Sequence, residues 1–504
     1  MKTEKKRSGV WLAALLLIAV LCVLFAGCDK KKPEDGTQAV TEPEIAGVNE
    51  PLRMVDGATV SLSPKGMRFT GLVNRAYFDA LKTAYGDANV KVGIMIAPTD
   101  SLSGNTVSES NEKAVKHEAD ALETVGDDYR FGYLLTVAAE KEYGVGYSAV
   151  SYVEVSGKIL RCSLYSAKRN ALSFAVAAET AYLDLHDAQD AAYKNAVKVD
   201  GKTKYSPYTA EQRELLDAYR FPCAFTVMSY NVEVYDSSGG WEGRTPAKAL
   251  ETVKEESPDI IGFQEVNEQW DTMLDDLAKS EGYTRLKGSY TSSITGTKFE
   301  KNEIFFKTDK FNLVVESTKS LKQVASDLKV ANTEKADLTL DSLNRVFHYA
   351  VLEHKASGKT VLFISTHLHY GKTGTGAEEH DKVRRYQIRG LLAWLDKWSE
   401  KYPYQIVVGD MNANYTSGQG KPTMALFTDG GLNLTLQTAA VKEDVGGTLA
   451  GSNRTERQGY VFDYILTGDN VGTAYYSVVD NKIDQGGASY PSDHLPVKAK
   501  LALR

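Results

Sequence analysis

Residues 405–412 read QIVVGDMN, an apolar, β-branched run that turns at Gly409 and ends on Asp410 and Asn412. The same shape recurs across residues 222–504. FTVMSYN (225–231) closes on Asn231, IIGFQE (260–265) on Glu265 and VLFISTH (361–367) on His367. Asp463 sits inside VFDYIL (461–466), and Asp493 and His494 precede LPVKA (495–499). Short apolar runs bounded by polar residues predict strands over Phe225–Ser229, Ile260–Gln264, Glu303–Phe306, Phe347–Leu352, Val361–Ser365, Gln405–Val408, Val461–Leu466 and Leu495–Lys500. Runs this continuous belong to strands covered on both faces or on one well-packed face. Amphipathic spacing predicts helices over Pro246–Glu256, Glu268–Ser280 and Lys382–Lys401. The expectation is an α/β domain of two sheets with helices outside.

A lone aspartate after a strand is usually a turn or cap residue. Six polar strand ends in one domain, all Asn, Glu, His or Asp, point instead to loops that converge at one sheet edge. No Gly-x-Ser-x-Gly elbow, His-Glu-x-x-His pair or Cys-x-x-Cys pair occurs. An oxygen-rich set with two histidines suits a hard divalent cation, Mg²⁺ with Mn²⁺ or Ca²⁺ as alternatives. An anionic phosphoester reaches such a set through the cation. The chemistry inferred is metal-assisted phosphoester hydrolysis. Composition agrees: a net charge of −7 argues against a globally basic nucleic-acid binder. Apolar residues at 42% and charged residues at 25% exclude a disordered or fibrous chain. Four cysteines in 504 residues exclude a disulfide scaffold.

SYN (229–231), DIIGFQE (259–265), STH (365–367), GDMN (409–412), FDYI (462–465) and SDHLPV (492–497), in that order, resemble the motifs of the endonuclease/exonuclease/phosphatase family, which includes deoxyribonuclease I. The resemblance covers 222–504. It implies a deoxyribonuclease I-like four-layer α/β sandwich. It implies Glu265 as principal metal ligand, Asn231 positioning it or binding nearby, and Asp493 as a second metal-site carboxylate. Asp410 would hold or activate water, and Asn412 would orient the phosphate. His367 would donate to the phosphate or assist the leaving oxygen. His494, oriented by Asp463, would act as general base or stabilise the phosphate. Asn302 and Arg345 would contact substrate, Arg345 alternatively bracing the catalytic carboxylates. Glu233 is a candidate for a second metal or a structural strand-end acid. The expected substrate is a phosphoester, with DNA as the nuclease candidate; a small or lipid phosphoester is the alternative, and a catalytically silent binding scaffold a third. A nuclease would need basic residues clustered near the site; Lys372, Lys382, Arg384, Arg385 and Arg389 give a modest cluster, which helical spacing partly spreads round the axis. The Gly371–Gly376 loop lacks a P-loop ending. With His369 and His380 it is expected either to rim the site or to be a plain surface loop.

The chain start reads as an address. Basic residues 2–7 precede an uncharged apolar run, Val10–Ala26, that ends in small residues before Cys28. This is a signal segment, and it resembles a lipobox with Cys28 as the lipidated residue of a protein held on the extracytoplasmic side of the cell membrane. A membrane-spanning anchor is the alternative. Residues 29–50 read as a flexible tether. Residues 51–215 read as a β-rich or α+β accessory module, with strands near Ala58–Leu62, Gly66–Val73, Val90–Ala97, Ser148–Val155 and Ile159–Tyr165. Helices are expected over 75–85 and 171–195. The module is a spacer or adhesion element, or the binder of a surface ligand. Thr209 and Gln212 form a capping-box pattern that opens a helix to Arg220. Cys162 and Cys223 are left as one disulfide or two thiols.

Overall fold

The computed structural model describes residues 40–504 except 103–106, 163–172, 200, 235–245, 290, 292–298, 342, 372–375, 417, 419, 452–453 and 484–488. The signal segment with Cys28, the first part of the tether and most of the Gly371–Gly376 loop lie outside the described residues.

Eight strands carry the motifs: β1 (Phe225–Asn231), β2 (Ile260–Val266), β3 (Lys301–Lys307), β4 (Val346–His354), β5 (Lys359–His367), β6 (Tyr404–Asp410), β7 (Asp463–Gly468) and β8 (Val497–Leu503). One seven-stranded sheet runs Tyr283–Leu286, β3, β2, β1, β8, Val471–Val478, Val441–Asp444. A six-stranded sheet runs Phe311–Ser320, β4, β5, β6, β7, Leu432–Leu434. The pairs β1·β2 and β5·β6 are parallel; the other motif-strand pairs are antiparallel. Alternation along each strand separates the layers. Val227, Ile260 and Ile304 point into a core shared with Phe347, Phe363 and Val408 of the facing sheet. Met228, Ile261 and Phe305 point outward, against helices α1 (Pro246–Glu256) and α2 (Asp271–Glu281). Helix α3 (Ala377–Trp398) covers the other sheet with Ile388, Leu391 and Trp394. The result is the four-layer sandwich.

Register builds the site. His367 lies beside Asp410, and Asp410 beside Asp463, so three strand ends share one row. Gly409 makes that row fit. Its φ is +153°, and a Cβ there would sit 1.9 Å from the Thr366 carbonyl oxygen. Gly409→Ala is therefore expected to destabilise the protein by ~1–3 kcal/mol through overpacking. Urea unfolding measures this; a midpoint equal to wild type would show that the row tolerates the methyl group.

The N-terminal region has its own core. A five-stranded sheet, in which Lys65–Asn74 pairs with Asp128–Thr136, lies against a four-stranded sheet built on Val90–Pro98 and Tyr147–Val155. Ser156 and Gly157 turn the hairpin to Lys158–Arg161 with positive φ. Among the described residues the helix expected over 171–195 runs Phe174–Leu183 and ends on Asp184 as its C-cap. Asn195–Val199 pairs instead as a strand with Lys202–Ser206. Thr209 and Gln212 do form a capping box, on the helix Ala210–Arg220. Leu216 packs on Ala178 and Ala181, which ties this helix to the N-terminal module. Lys359 Nζ then joins the two regions, donating to the Gly144 and Arg504 carbonyls at 3.0 Å each. Cys162 and Cys223 are both free thiols. Among the described residues, no helix is long and apolar enough to cross a membrane.

Candidate active site

The strand ends converge on one carboxylate. Asp410 Oδ2 accepts a hydrogen bond from Asn231 Nδ2 at 3.1 Å and lies 3.4 Å from His367 Nε2 and 3.6 Å from His494 Nε2. Asp410 Oδ1 accepts from the Asn412 backbone N–H at 2.8 Å. Two histidine arms thus flank Asp410, each backed by its own acid. His494 Nδ1 is 2.8 Å from Asp463 Oδ2, and His367 Nδ1 is 2.9 Å from Glu300 Oε1. Arg345 Nη1 bonds Glu300 and lies 3.0 Å from His367 Nδ1.

Glu265 is held beside Asp410 by the same asparagine. Asn231 Nδ2 reaches Glu265 Oε1 at 2.9 Å, and the Val234 N–H reaches Oε2 at 3.0 Å. The strand is irregular here: β2 and β3 slip register between Phe263 and Val266, and Glu265 has φ +62°. Glu233 and Asn412 also have positive φ, at +62° and +48°. Left-handed, non-glycine residues cost about 1–3 kcal/mol each and gather where function fixes them. Asp493 stands opposite on the loop into β8. Its N–H donates to Glu233 Oε2 at 3.3 Å, and its Oδ1 is buried without a hydrogen-bond partner.

Electrostatics sorts these groups. Burial alone would push His494 down, but Asp463, Asp410 and Asp493 outweigh it and hold the imidazole well above its usual range. For His367, burial and Arg345 push down while Glu300 and Asp410 raise it, and the net shift is upward. Both histidines therefore favour the charged form. Burial would raise Glu300, yet Arg345 and His367 bring it to about 2. Glu265 is raised by burial and by Glu300, which is the unfavourable like-charge setting that a bound cation relieves. Glu233 is pushed up to about 7 by burial and Asp493, opposed by its ion pair with Arg454.

Of the residues singled out from sequence, Asn231, Glu265, His367, Asp410, Asn412, Asp463, Asp493 and His494 come together here. Two expectations are corrected. Arg345 is buried and spends Nη1 on Glu300 and His367, the bracing alternative instead of a substrate contact. Asn302 is buried too, and its Nδ2 donates to the Val346 carbonyl in the wall behind Glu300. The basic cluster is also corrected. Arg384 is buried against Asp381, Arg385 pairs with Glu334 and Glu378, Arg389 with Glu334 and Lys382 with Glu379, while Lys372 lies outside the described residues. Glu233 takes a structural part through Arg454 and Asp493 N–H. His369 is buried and hydrogen-bonded to His380 at 2.7 Å. Sequence reading missed Glu300; its only signal was an acid two residues before Asn302 at the mouth of a strand.

The sequence profile described as Endonuclease/Exonuclease/phosphatase family matches residues 228–494. The chain belongs to that family. Members hydrolyse phosphoesters with a divalent cation, and the donors here fit one: Glu265 and Asp493 supply hard oxygen atoms, and the partnerless Asp493 Oδ1 is available. Two curated relatives are Ccr4, the 3′-5′-exoribonuclease subunit of the CCR4-Not complex. The Yarrowia lipolytica protein is 26% identical over 356 residues, covering 56% of this chain and 48% of the relative. The Candida albicans protein is 24% identical over 336 residues, covering 56% and 41%. The chain spans about half the length of these relatives. Solved structures of similar fold include a mannosyl-6-phosphatase of Bacteroides thetaiotaomicron (22% identity, 55% of this chain, 100% of that chain, TM-score 0.44). The human Nocturnin catalytic domain with bound sulfate is another (23%, 56%, 95%, 0.41).

Proposed function

We propose that this endonuclease/exonuclease/phosphatase-family protein is a Mg²⁺-dependent phosphodiesterase of nuclease-like type, held on the extracytoplasmic side of the membrane by lipidated Cys28. The observation that carries the catalytic part is the convergence of two acid-backed histidines on Asp410, beside Glu265 and Asn231. A divalent cation held by Glu265 and Asp493 would polarise the phosphoryl oxygens and neutralise charge that builds during attack. The residues do the rest. Asp410, fixed by Asn231 and the Asn412 N–H, orients the attacking water and takes its proton. His494 and His367, held charged by their acids, bind the phosphate oxygens. One of them returns a proton to the leaving oxygen as the P–O bond breaks. Asn231 keeps Glu265 and Asp410 at a fixed separation, so the site is organised before substrate arrives. The likeness to the exoribonuclease Ccr4 supports a nucleic-acid or nucleotide diester.

One observation favours the small-phosphoester reading. Arg384, Arg385 and Arg389 are tied up in ion pairs, which removes the arginines that would track a polyanion. The test is hydrolysis by the detergent-solubilised full chain with Mg²⁺, with and without EDTA. Substrates are DNA, RNA, bis-p-nitrophenyl phosphate and p-nitrophenyl phosphate. EDTA-sensitive cleavage of diesters is expected. Cleavage of the monoester alone moves the protein to the phosphatase branch, and silence on all four sinks the catalytic reading.

A further inference from the structure

The stretch DIIGFQE (259–265) supplies Glu265 to the site, while the glutamine beside it takes no part in the chemistry proposed above. Gln264 is nevertheless fully buried, as are Ser229 and Ser365. Strand alternation explains where they stand. Val227, Ile260 and Phe363 belong to the core between the sheets. Two residues further along the same strands come Ser229, Gly262 and Ser365, and two further again come Asn231, Gln264 and His367. Register makes these into rows. Ser229 pairs with Gly262 and Asn231 with Gln264 on one sheet, while Ser365 pairs with Val408 and His367 with Asp410 on the other. The row that holds Asn231, His367 and Asp410 thus rests on a lower row of Ser229, Gly262, Ser365 and Val408.

The sheets are drawn together at this lower row. A Cβ on Gly262 would lie 2.3 Å from Val408 Cγ2 and 3.0 Å from Ser365 Oγ. Gln264 then reaches across from one sheet to the other. Its Nε2 donates to Ser365 Oγ at 3.1 Å and to the Gly262 carbonyl at 3.0 Å, and its Oε1 accepts from Ser229 Oγ at 3.4 Å. Ser365 Oγ donates back to the Phe263 carbonyl at 3.2 Å. Every side-chain polar atom of the set has a partner, so none carries the penalty of an orphaned buried group. Apolar layers can repack, whereas a satisfied buried network fixes one arrangement.

A fixed arrangement matters because the site is divided between the sheets. Asn231 and Glu265 end strands of the seven-stranded sheet. Asp493 and His494 lead into β8 of that sheet, and Ser492 Oγ ties their loop to the Asn231 carbonyl at 2.8 Å. His367, Asp410 and Asp463 stand at strand ends of the six-stranded sheet. The proposed cation ligands, Glu265 and Asp493, therefore lie on one side. The two histidines proposed to bind phosphate lie on both.

We propose that Gln264 and Ser365, with Gly262, are positioning residues: a clasp that sets the sheet separation one row beneath the site, and with it the distance between His367 and His494. The proposal rests on the phosphoesterase reading of that site. Its signature is a loss of phosphate affinity without a loss of cation affinity. The detergent-solubilised full chain is titrated calorimetrically, first with Mg²⁺ and then, at saturating Mg²⁺, with inorganic phosphate. A misplacement of about 1 Å can cost a positioned site on the order of a hundred-fold, so Ser365→Ala is expected to weaken phosphate binding by roughly 10-fold. Mg²⁺ affinity should be unchanged, since its ligands share a sheet. Gly262→Ala forces the sheets apart and should show the same split; Ser365→Ala carries the test if Gly262→Ala does not fold. Val408→Ala removes the methyl group that the new Cβ meets, so Gly262→Ala with Val408→Ala should bind phosphate more tightly than Gly262→Ala alone. A part in stability alone predicts the reverse, because Val408→Ala by itself opens a cavity. Wild-type phosphate affinity in Ser365→Ala overturns the proposal. So do equal losses for cation and phosphate, or a Val408→Ala substitution that deepens the defect. Wild-type protein that binds Mg²⁺ and no phosphate fails before any variant is compared, which removes the phosphoesterase reading and the proposal that rests on it.

Discussion

Asp410→Ala is expected to lower kcat/KM for a phosphodiester by about a thousand-fold or more, with the fold retained. Asp410 is the group on which the other contacts meet. It shares Asn231 Nδ2 with Glu265 and faces Nε2 of both His367 and His494. Its loss takes away the carboxylate proposed to orient water and also one of the charges that raise both imidazoles. The imidazole titrations should therefore move to lower pH, which proton NMR of the histidine rings reads directly. The fold should be retained, since Asn231 Nδ2 keeps its bond to Glu265 and each imidazole keeps its own backing acid, although the Asn412 N–H loses its acceptor and both imidazole Nε2 atoms lose a facing carboxylate. Asp410→Asn keeps an acceptor for the Asn412 N–H but removes the charge and turns the Oδ2 position into an NH₂ donor facing Asn231 Nδ2, so it should be as inactive as the alanine variant. Glu265→Ala and His494→Ala are expected to be comparably inactive. Activity within ten-fold of wild type in the folded Asp410 variants would place the chemistry elsewhere.

Most of this site was legible because its residues close apolar, β-branched strands. Asn231, Glu265, His367 and Asp410 each end a run that hydrophobic patterning marks, and the sandwich follows from the same runs. Glu300 was not legible for the opposite reason. It stands just before β3, ahead of Lys301 and Asn302, outside the Glu303–Phe306 run from which the strand is read. Those polar residues are buried all the same. Lys301 and Glu303 are neutralised by Asp271 and Arg285 on the outer face of the sheet, contacts between residues far apart in sequence. The arginines of α3 misled for a related reason. Arg384 and Arg385 read as a basic surface, but Asp381 and Glu378 on the same helix and Glu334 some fifty residues away consume them, and of these only Glu334 is hidden from sequence spacing. The strand Phe311–Ser320 escaped notice because it is an edge strand. Leu313, Val314 and Val315 are exposed there, so neither face alternates cleanly. The accessory module gave its hairpin and capping box from local signals, whereas its Asp128–Thr136 strand depends on a partner more than fifty residues upstream.

Arg345→Met is expected to cost about 3–5 kcal/mol of stability at neutral pH, a large effect for one substitution. Arg345, Glu300 and His367 form a buried set, at 2%, 2% and 2% exposure. Removing the guanidinium strands the Glu300 carboxylate in a medium that cannot solvate it. The sign of the pH dependence follows. Burial raises Glu300, but Arg345 and His367 bring its folded value from 4.5 to about 2. A depressed carboxyl contributes stability that is fully present above 4.5 and is lost as pH falls towards 2. Wild type should thus lose stability across that window, and Arg345→Met should lose much less of it, because Glu300 then titrates higher. Adding Glu300→Gln to Arg345→Met removes the stranded charge and should recover a large part of the loss. Urea unfolding at pH 7 and pH 3 on the two single variants and the double variant gives the coupling directly. The single Glu300→Gln variant has a second readout: without its acid, His367 loses its orientation and part of its charge, so kcat should fall more than KM changes. Its acidic partner gone, the His367 ring should also titrate at lower pH. An Arg345→Met variant as stable as wild type would mean that Glu300 is already neutral in the fold, and that His367 draws its charge from Asp410 alone.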